Sequence, residues 1–127
     1  MDIEAFFETM PFADLLGIEV TSAEDGEATG RLEMREALSW NDEMVMAHGG
    51  VTFTLADTVG GAALVSLVEQ PVPTIDMRID YLAAGTGDLH AEAEVVRCGG
   101  DIGVVDVAVY SADETMIADA RGVYKTG

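Results

Sequence analysis

Residues 51–68 run almost without interruption through apolar side chains, and the one charge among them is Asp57. Eighteen residues are too many for a strand, so the run predicts a helix over residues 49–68. Thr52, Thr54, Asp57, Thr58 and Ser66 are its only polar groups. A helix with no polar face must be covered nearly all round. Gly60 and Gly61 lie inside it, each costing about 1 kcal/mol relative to alanine in a helix interior. They predict that the helix backbone approaches a neighbouring strand or helix closely. The run is also long enough to cross a bilayer. Asp57 near its middle, at about 2.5–3.5 kcal/mol, and the acidic flanks Glu43 and Glu69 argue instead for the core of a folded domain.

The helix begins at His48-Gly49-Gly50. The first N–H groups of a helix have no partner within it. They carry about half a positive charge and suit an oxyanion or a polarised carbonyl. A carboxylate set into an apolar helix needs a partner or a task. Together these features predict an active-site helix.

The rest of the chain supplies strands to wrap it. In residues 1–16, Ile3, Phe6, Phe7 and Met10 recur at helical spacing. Pro11 interrupts that helix or starts a second turn, and Gly17 is a natural C-cap. Residues 18–22 read as extended, and Asp25-Gly26 marks a turn. Ala28, Gly30, Leu32 and Met34 then alternate with Thr29, Arg31 and Glu33, which predicts a hairpin. After Gln70-Pro71-Val72-Pro73 come four strands. The first sets Ile75, Met77, Ile79 and Tyr81 against Thr74, Asp76, Arg78 and Asp80; the second sets Leu89, Ala91, Ala93 and Val95 against His90, Glu92 and Glu94. Residues 103–110 and 116–124 complete an expected four-strand antiparallel meander. The class is α+β, one domain over residues 1–127, with an antiparallel sheet curved around the long helix.

The 127 residues carry 24 acids against six bases, a net charge of −18, and Lys125 is the only lysine. That balance excludes a nucleic-acid partner, which needs a basic face, and an anionic membrane surface. Dense like charge destabilises a compact chain unless salt screens it, and at 1 M the Debye length falls to about 3 Å. A salt-rich cytoplasm is therefore the expected setting. Cys98, the only cysteine, forms no internal disulfide, and the first ten residues lack the basic start of a signal peptide. Two histidines and one cysteine far apart give no metal-ligand cluster, and no cofactor is implied.

With the buried helix and surrounding sheet, the run His48-Gly49-Gly50-Val51-Thr52-Phe53-Thr54-Leu55-Ala56-Asp57 resembles the signature of the hotdog-fold acyl-CoA thioesterases, in their phenylacetate-degradation (PaaI-like) branch. Tyr81-Leu82-Ala83-Ala84-Gly85 and Val96-Arg97-Cys98-Gly99-Gly100 are similar to two further family segments. The resemblance implies hydrolysis of an acyl-CoA. Gly49 would polarise the thioester carbonyl, Asp57 would be nucleophile or general base, and His48 would hold the loop. Thr74 falls where a hydroxyl positions water. Gly50, Arg97 and Gly99 are implied in substrate binding, with Arg78, Arg121 and Lys125 as further cations for the coenzyme A phosphates. Met44 and Met46 are candidates for an acyl pocket. The family places an Asn six residues before its His and a Gly three before. Here those positions hold Asp42 and Val45, and Asn41 lies seven before, so Asn41 takes that role only through a loop one residue longer. The same fold also serves hydratases, dehydratases and non-catalytic binding proteins. The acyl group, aromatic or medium-chain, is left open.

Asp57 follows Gly49 by eight residues, so the two stand roughly 12 Å apart along one helix. A carbonyl held at Gly49 needs its attacking oxygen within about 3–3.5 Å. Asp57 of the same chain cannot supply it. Two antiparallel copies about a two-fold axis can bring Gly49 of one to Asp57 of the other. The expected assembly is a homodimer; whether dimers pair further into a tetramer, as a dimer of dimers, is left open.

Overall fold

The computed structural model describes all of residues 1–127. Two short helices open the chain. In α1 (Ile3–Glu8) the Asp2 carboxylate caps the first turn by accepting from the Ala5 N–H at 3.1 Å. Pro11 starts α2 (Pro11–Leu16), and Gly17 closes it in the left-handed region at φ 81°. A hairpin follows, β1 (Ile18–Glu24) and β2 (Glu27–Leu32), turning through Asp25 and Gly26. Both turn residues have positive φ, as a tight hairpin demands. A short 3-10 turn at Glu36–Leu38 leads into a loop and then α3 (Gly49–Val68). The last four strands are β3 (Thr74–Tyr81), β4 (Leu89–Cys98), β5 (Ile102–Tyr110) and β6 (Met116–Lys125).

All six strands form one antiparallel sheet in the order β1-β2-β4-β5-β6-β3. This corrects the expected four-strand meander. Only β4, β5 and β6 follow one another in space, while β3 pairs with β6 at the far edge. Strand β4 has β2 on one side and β5 on the other, so no edge is left for β3 beside it. The sheet is open, with β1 and β3 as its edges.

The long helix lies against the inner face of this sheet, the hotdog arrangement expected of the chain. Leu55, Ala56, Val59, Ala62, Ala63 and Leu64 are wholly buried. Facing them are Ala28 and Leu32 of β2, Leu89, Ala91 and Ala93 of β4, and Val105, Val107 and Val109 of β5. Gly60 permits a close approach, since a Cβ there would meet the Tyr124 hydroxyl at 2.5 Å and Val107 Cγ2 at 3.1 Å. By length and composition α3 could cross a bilayer, yet it is the buried core helix. Its covering is incomplete along one stripe. Gly50, Phe53, Thr54 and Asp57 retain solvent exposure, and their i, i+3, i+4, i+7 spacing puts them on one face.

Candidate active site

The N-terminus of α3 is set by a nine-residue loop, residues 39–47, closed at its neck by a bridge between Ser39 and Ala47. Ser39 organises it, its Oγ accepting from the backbone N–H of Asn41 (3.1 Å) and Met46 (2.9 Å). Two further bonds fasten the neck: His48 N–H to the Leu38 carbonyl at 2.9 Å and Ala47 N–H to the Gly85 carbonyl at 3.0 Å. His48 therefore arrives with an extended backbone (φ −62°, ψ 140°) as the N-cap of α3.

The first N–H groups of this terminus are not equivalent. Val51 and Thr52 both donate to the His48 carbonyl, at 2.9 and 3.3 Å. Gly50 donates to Nδ1 of the His48 ring at 2.8 Å. That bond makes Nδ1 an acceptor and puts the ring proton on Nε2. Gly49 N–H alone has no partner in the chain. No acid occupies the first turn to cancel the positive end of the helix. The Tyr81 hydroxyl donates to the Gly49 carbonyl at 2.7 Å, and its ring sits 3.3 Å from where a Gly49 Cβ would be. Burial raises the Tyr81 phenol above its ordinary pKa and keeps it a donor. His48, Gly49, Gly50, Trp40 and Tyr81 line an open cleft of about 490 Å³.

Asp57 opens into a different cleft. Its Oδ1 accepts from the Thr74 hydroxyl at 2.7 Å, and its backbone carbonyl accepts from the buried Tyr124 hydroxyl at 2.8 Å. Burial first, and the Asp57 charge second, drive the Tyr124 phenol far above its ordinary value. Strict alternation along β3 puts Thr74 on the same side as Asp76, facing away from the helix. The structure differs. A bulge between Thr74 and Asp76 leaves Thr74 paired with Tyr124, on the helix side, and displaces Ile75 outward, where it is exposed. Bulges re-aim side chains in this way.

Within one chain the expected residues thus form two groups. Gly49, Gly50 and His48 gather at one end of α3, and Asp57 with Thr74 lies two turns further along. Asn41 lines neither cleft, and its Oδ1 accepts from the Glu43 N–H at 2.8 Å inside the loop. Arg97 and Gly99 lie at the end of β4 and its turn, away from both clefts. Met44 and Met46 line neither cleft. Two residues were not anticipated as site members: Tyr81, which fastens the Gly49 peptide, and Tyr124, which fastens that of Asp57. The alternation of β3 carried the signal for Tyr81, since it shares a side with Met77 and Ile79. No local pattern singles out Tyr124.

Residues 45–118 match the thioesterase superfamily. The chain is 34% identical to a putative esterase of Halobacterium salinarum, with 97% of this chain and 89% of that protein covered. It is 28% identical to the medium/long-chain acyl-CoA thioesterase YigI of Salmonella typhimurium, over 98% of this chain and 90% of YigI. Its structure is similar to that of the Escherichia coli PaaI protein from the phenylacetic acid degradation operon, with a TM-score of 0.86 and 28% identity. That likeness covers 97% of this chain and 88% of PaaI.

Proposed function

The chain belongs to the thioesterase superfamily, and from that premise we propose that it hydrolyses an acyl-CoA thioester to free acid and coenzyme A, as a single hotdog domain acting in pairs. One observation carries the reading: α3 bears both an unpartnered N–H at Gly49 and a hydroxyl-bonded carboxylate at Asp57, each open to a cleft. The thioester carbonyl oxygen accepts from Gly49 N–H of one copy. Asp57 of the other takes a proton from water as the water oxygen attacks the carbonyl carbon. The tetrahedral oxyanion rests at the helix N-terminus, a donor whose removal elsewhere costs about 2.7–4 kcal/mol. Collapse breaks the C–S bond and releases the coenzyme A thiolate, which is then protonated. His48 holds the loop through Gly50, and Thr74 fixes one carboxylate oxygen so that the other faces the water.

The pairing of copies is supported by what one chain leaves uncovered. Strand β3 is an open edge with exposed Ile75 and Tyr81, followed directly by exposed Leu82. It borders the stripe of α3 that carries Gly50, Phe53, Thr54 and Asp57. Antiparallel association across this surface puts Gly49 beside the second copy's Asp57, and a dimer of dimers completes the assembly. Among the basic candidates for the coenzyme A phosphates, Arg78 and Arg121 are already tied to Asp80 and Asp106. Arg97 and Lys125 have no acidic partner, and of these two Arg97 stands beside the Gly99 turn, so it is assigned the phosphate contact. The strongly acidic composition, 24 acids against six bases, supports a salt-rich cytoplasm as its setting.

The test is release of free thiol from acyl-CoAs in molar KCl, wild type against Asp57→Ala. Turnover by the wild type, reduced at least a hundredfold in the variant, is expected. Equal rates would remove Asp57 from the mechanism.

A further inference from the structure

The cleft that holds Asp57 and Thr74 has a volume of about 210 Å³. Its apolar lining comes from Phe6, Phe7 and Met10 of the N-terminal segment, Val65 of α3, Val72 and Tyr124. Phe6 and Phe7 meet edge to face with ring centroids 5.1 Å apart. Gly61 leaves a gap in the wall between Tyr124 and Val72, because it has no side chain to fill it.

We infer that this cavity receives the acyl group, and that Phe6, Phe7 and Gly61 set its length at about eight carbons, straight-chain or phenyl-bearing. The inference rests on the thioesterase reading and names the substrate class for that site. An apolar cavity of about 150 Å³ accepts benzene, or about 25 Å³ per carbon. On that scale 210 Å³ holds about eight carbons. The lining carries no charge other than Asp57 and is mainly hydrocarbon and aromatic surface, so polar or charged acyl groups are disfavoured. Octanoyl and phenylacetyl groups both fit this ceiling. A palmitoyl chain is about twice too large.

Two substitutions move the limit in opposite directions. At Gly61 an added Cβ would stand 3.6 Å from Tyr124 Cε2 and 3.8 Å from Val72 Cγ2, ordinary contacts that need no shift of the fold. Gly61→Ala therefore shortens the cavity by one methyl while α3 stays in place. Phe6→Ala removes a partly buried ring and deepens it.

The experiment measures kcat/KM for butyryl-, octanoyl-, phenylacetyl- and palmitoyl-CoA with the three proteins. Wild type is expected to prefer the two eight-carbon acyl groups over palmitoyl by at least about tenfold, the scale on which an apolar pocket discriminates. Gly61→Ala should lower the octanoyl-to-butyryl ratio, and Phe6→Ala should raise the palmitoyl-to-octanoyl ratio. Equal wild-type rates for octanoyl and palmitoyl, or unchanged ratios in Gly61→Ala, would overturn the inference and leave the hydrolase reading standing. Failure of wild type to release thiol from any of the four would overturn both.

Discussion

Thr74 Oγ1 lies 2.7 Å from Asp57 Oδ1, a bond from an edge strand to the central helix that exists only because β3 is bulged at Ile75. Without the bulge the hydroxyl would face away from α3. The bond leaves Asp57 with one oxygen fixed and the other free. In the proposed mechanism Thr74 is a positioning residue whose contribution runs through the carboxylate.

Thr74→Val is nearly isosteric and removes only that donor. We expect kcat to fall by up to about a hundredfold, the cost of a misplaced reacting group, with KM little changed. Thr74→Ser should restore most of the rate. A uniform rise in KM with kcat intact would point instead to a substrate contact.

Tyr124 joins β6 to α3 through its bond to the Asp57 carbonyl, and its phenol titrates far above the ordinary range because it is buried. The folded state therefore favours the neutral phenol. Its contribution to stability is present in full below about pH 10, the unfolded value, and is lost as the pH rises toward the folded one. Denaturant melts should show constant stability from neutrality to about pH 10 and a decline above it. Tyr124→Phe should lower neutral stability by about 1 kcal/mol and flatten the alkaline decline.

The outer face of the sheet bears on the salt reading. One cross-strand row runs Glu24, Glu27, Glu94, Asp106, Arg121, Arg78, each residue paired with the next. Only Asp106 and Arg121 compensate, through two bonds of 2.7 and 3.0 Å. Asp80 faces Asp119 in the same manner. Like charges directly opposite on a sheet repel, and molar salt screens them. The melting temperature should rise from 50 mM to 2 M KCl. Glu94→Gln should raise it in low salt and leave it unchanged in high salt. An equal effect at both concentrations would show that repulsion along this row is not what limits stability.

What the sequence disclosed depended on the range of the interaction involved. Helix α3 was readable to its end residues, because its apolar run is local and its first turn is marked by His48-Gly49-Gly50. The alternation of β4 was readable for the same reason. The place of β3 was not, since pairing with β6 is settled by which strand edges remain after β2, β4 and β5 have joined. The side of the sheet taken by Thr74 was missed because a bulge shifts the period by one, which no alternating pattern announces. Asn41 illustrates a third limit: its position in the loop was visible, but its bond to the Glu43 N–H depends on how Ser39 folds that loop.

The proposed two-copy site leads to a prediction that no single-chain mechanism shares. Gly49→Pro removes the N–H proposed for the oxyanion while keeping a residue suited to the first helical position. The His48 backbone, at φ −62° and ψ 140°, already has the conformation required before proline. The added ring meets the Tyr81 side chain, 3.3 Å from the Gly49 Cβ position, so Tyr81 must yield slightly. Alone, Gly49→Pro should lose about a hundred- to a thousandfold in kcat, and Asp57→Ala at least as much. Co-refolded in equal amounts, half of the dimers combine one chain of each kind. In every such dimer one site regains both an intact Gly49 and an intact Asp57, while the other site lacks both. The mixture should therefore recover about one quarter of wild-type activity by random pairing about a two-fold axis. Activity no higher than that of the separate variants, with mixed dimers demonstrated by mass spectrometry, would show that no site combines Gly49 of one copy with Asp57 of the other and would remove the shared site.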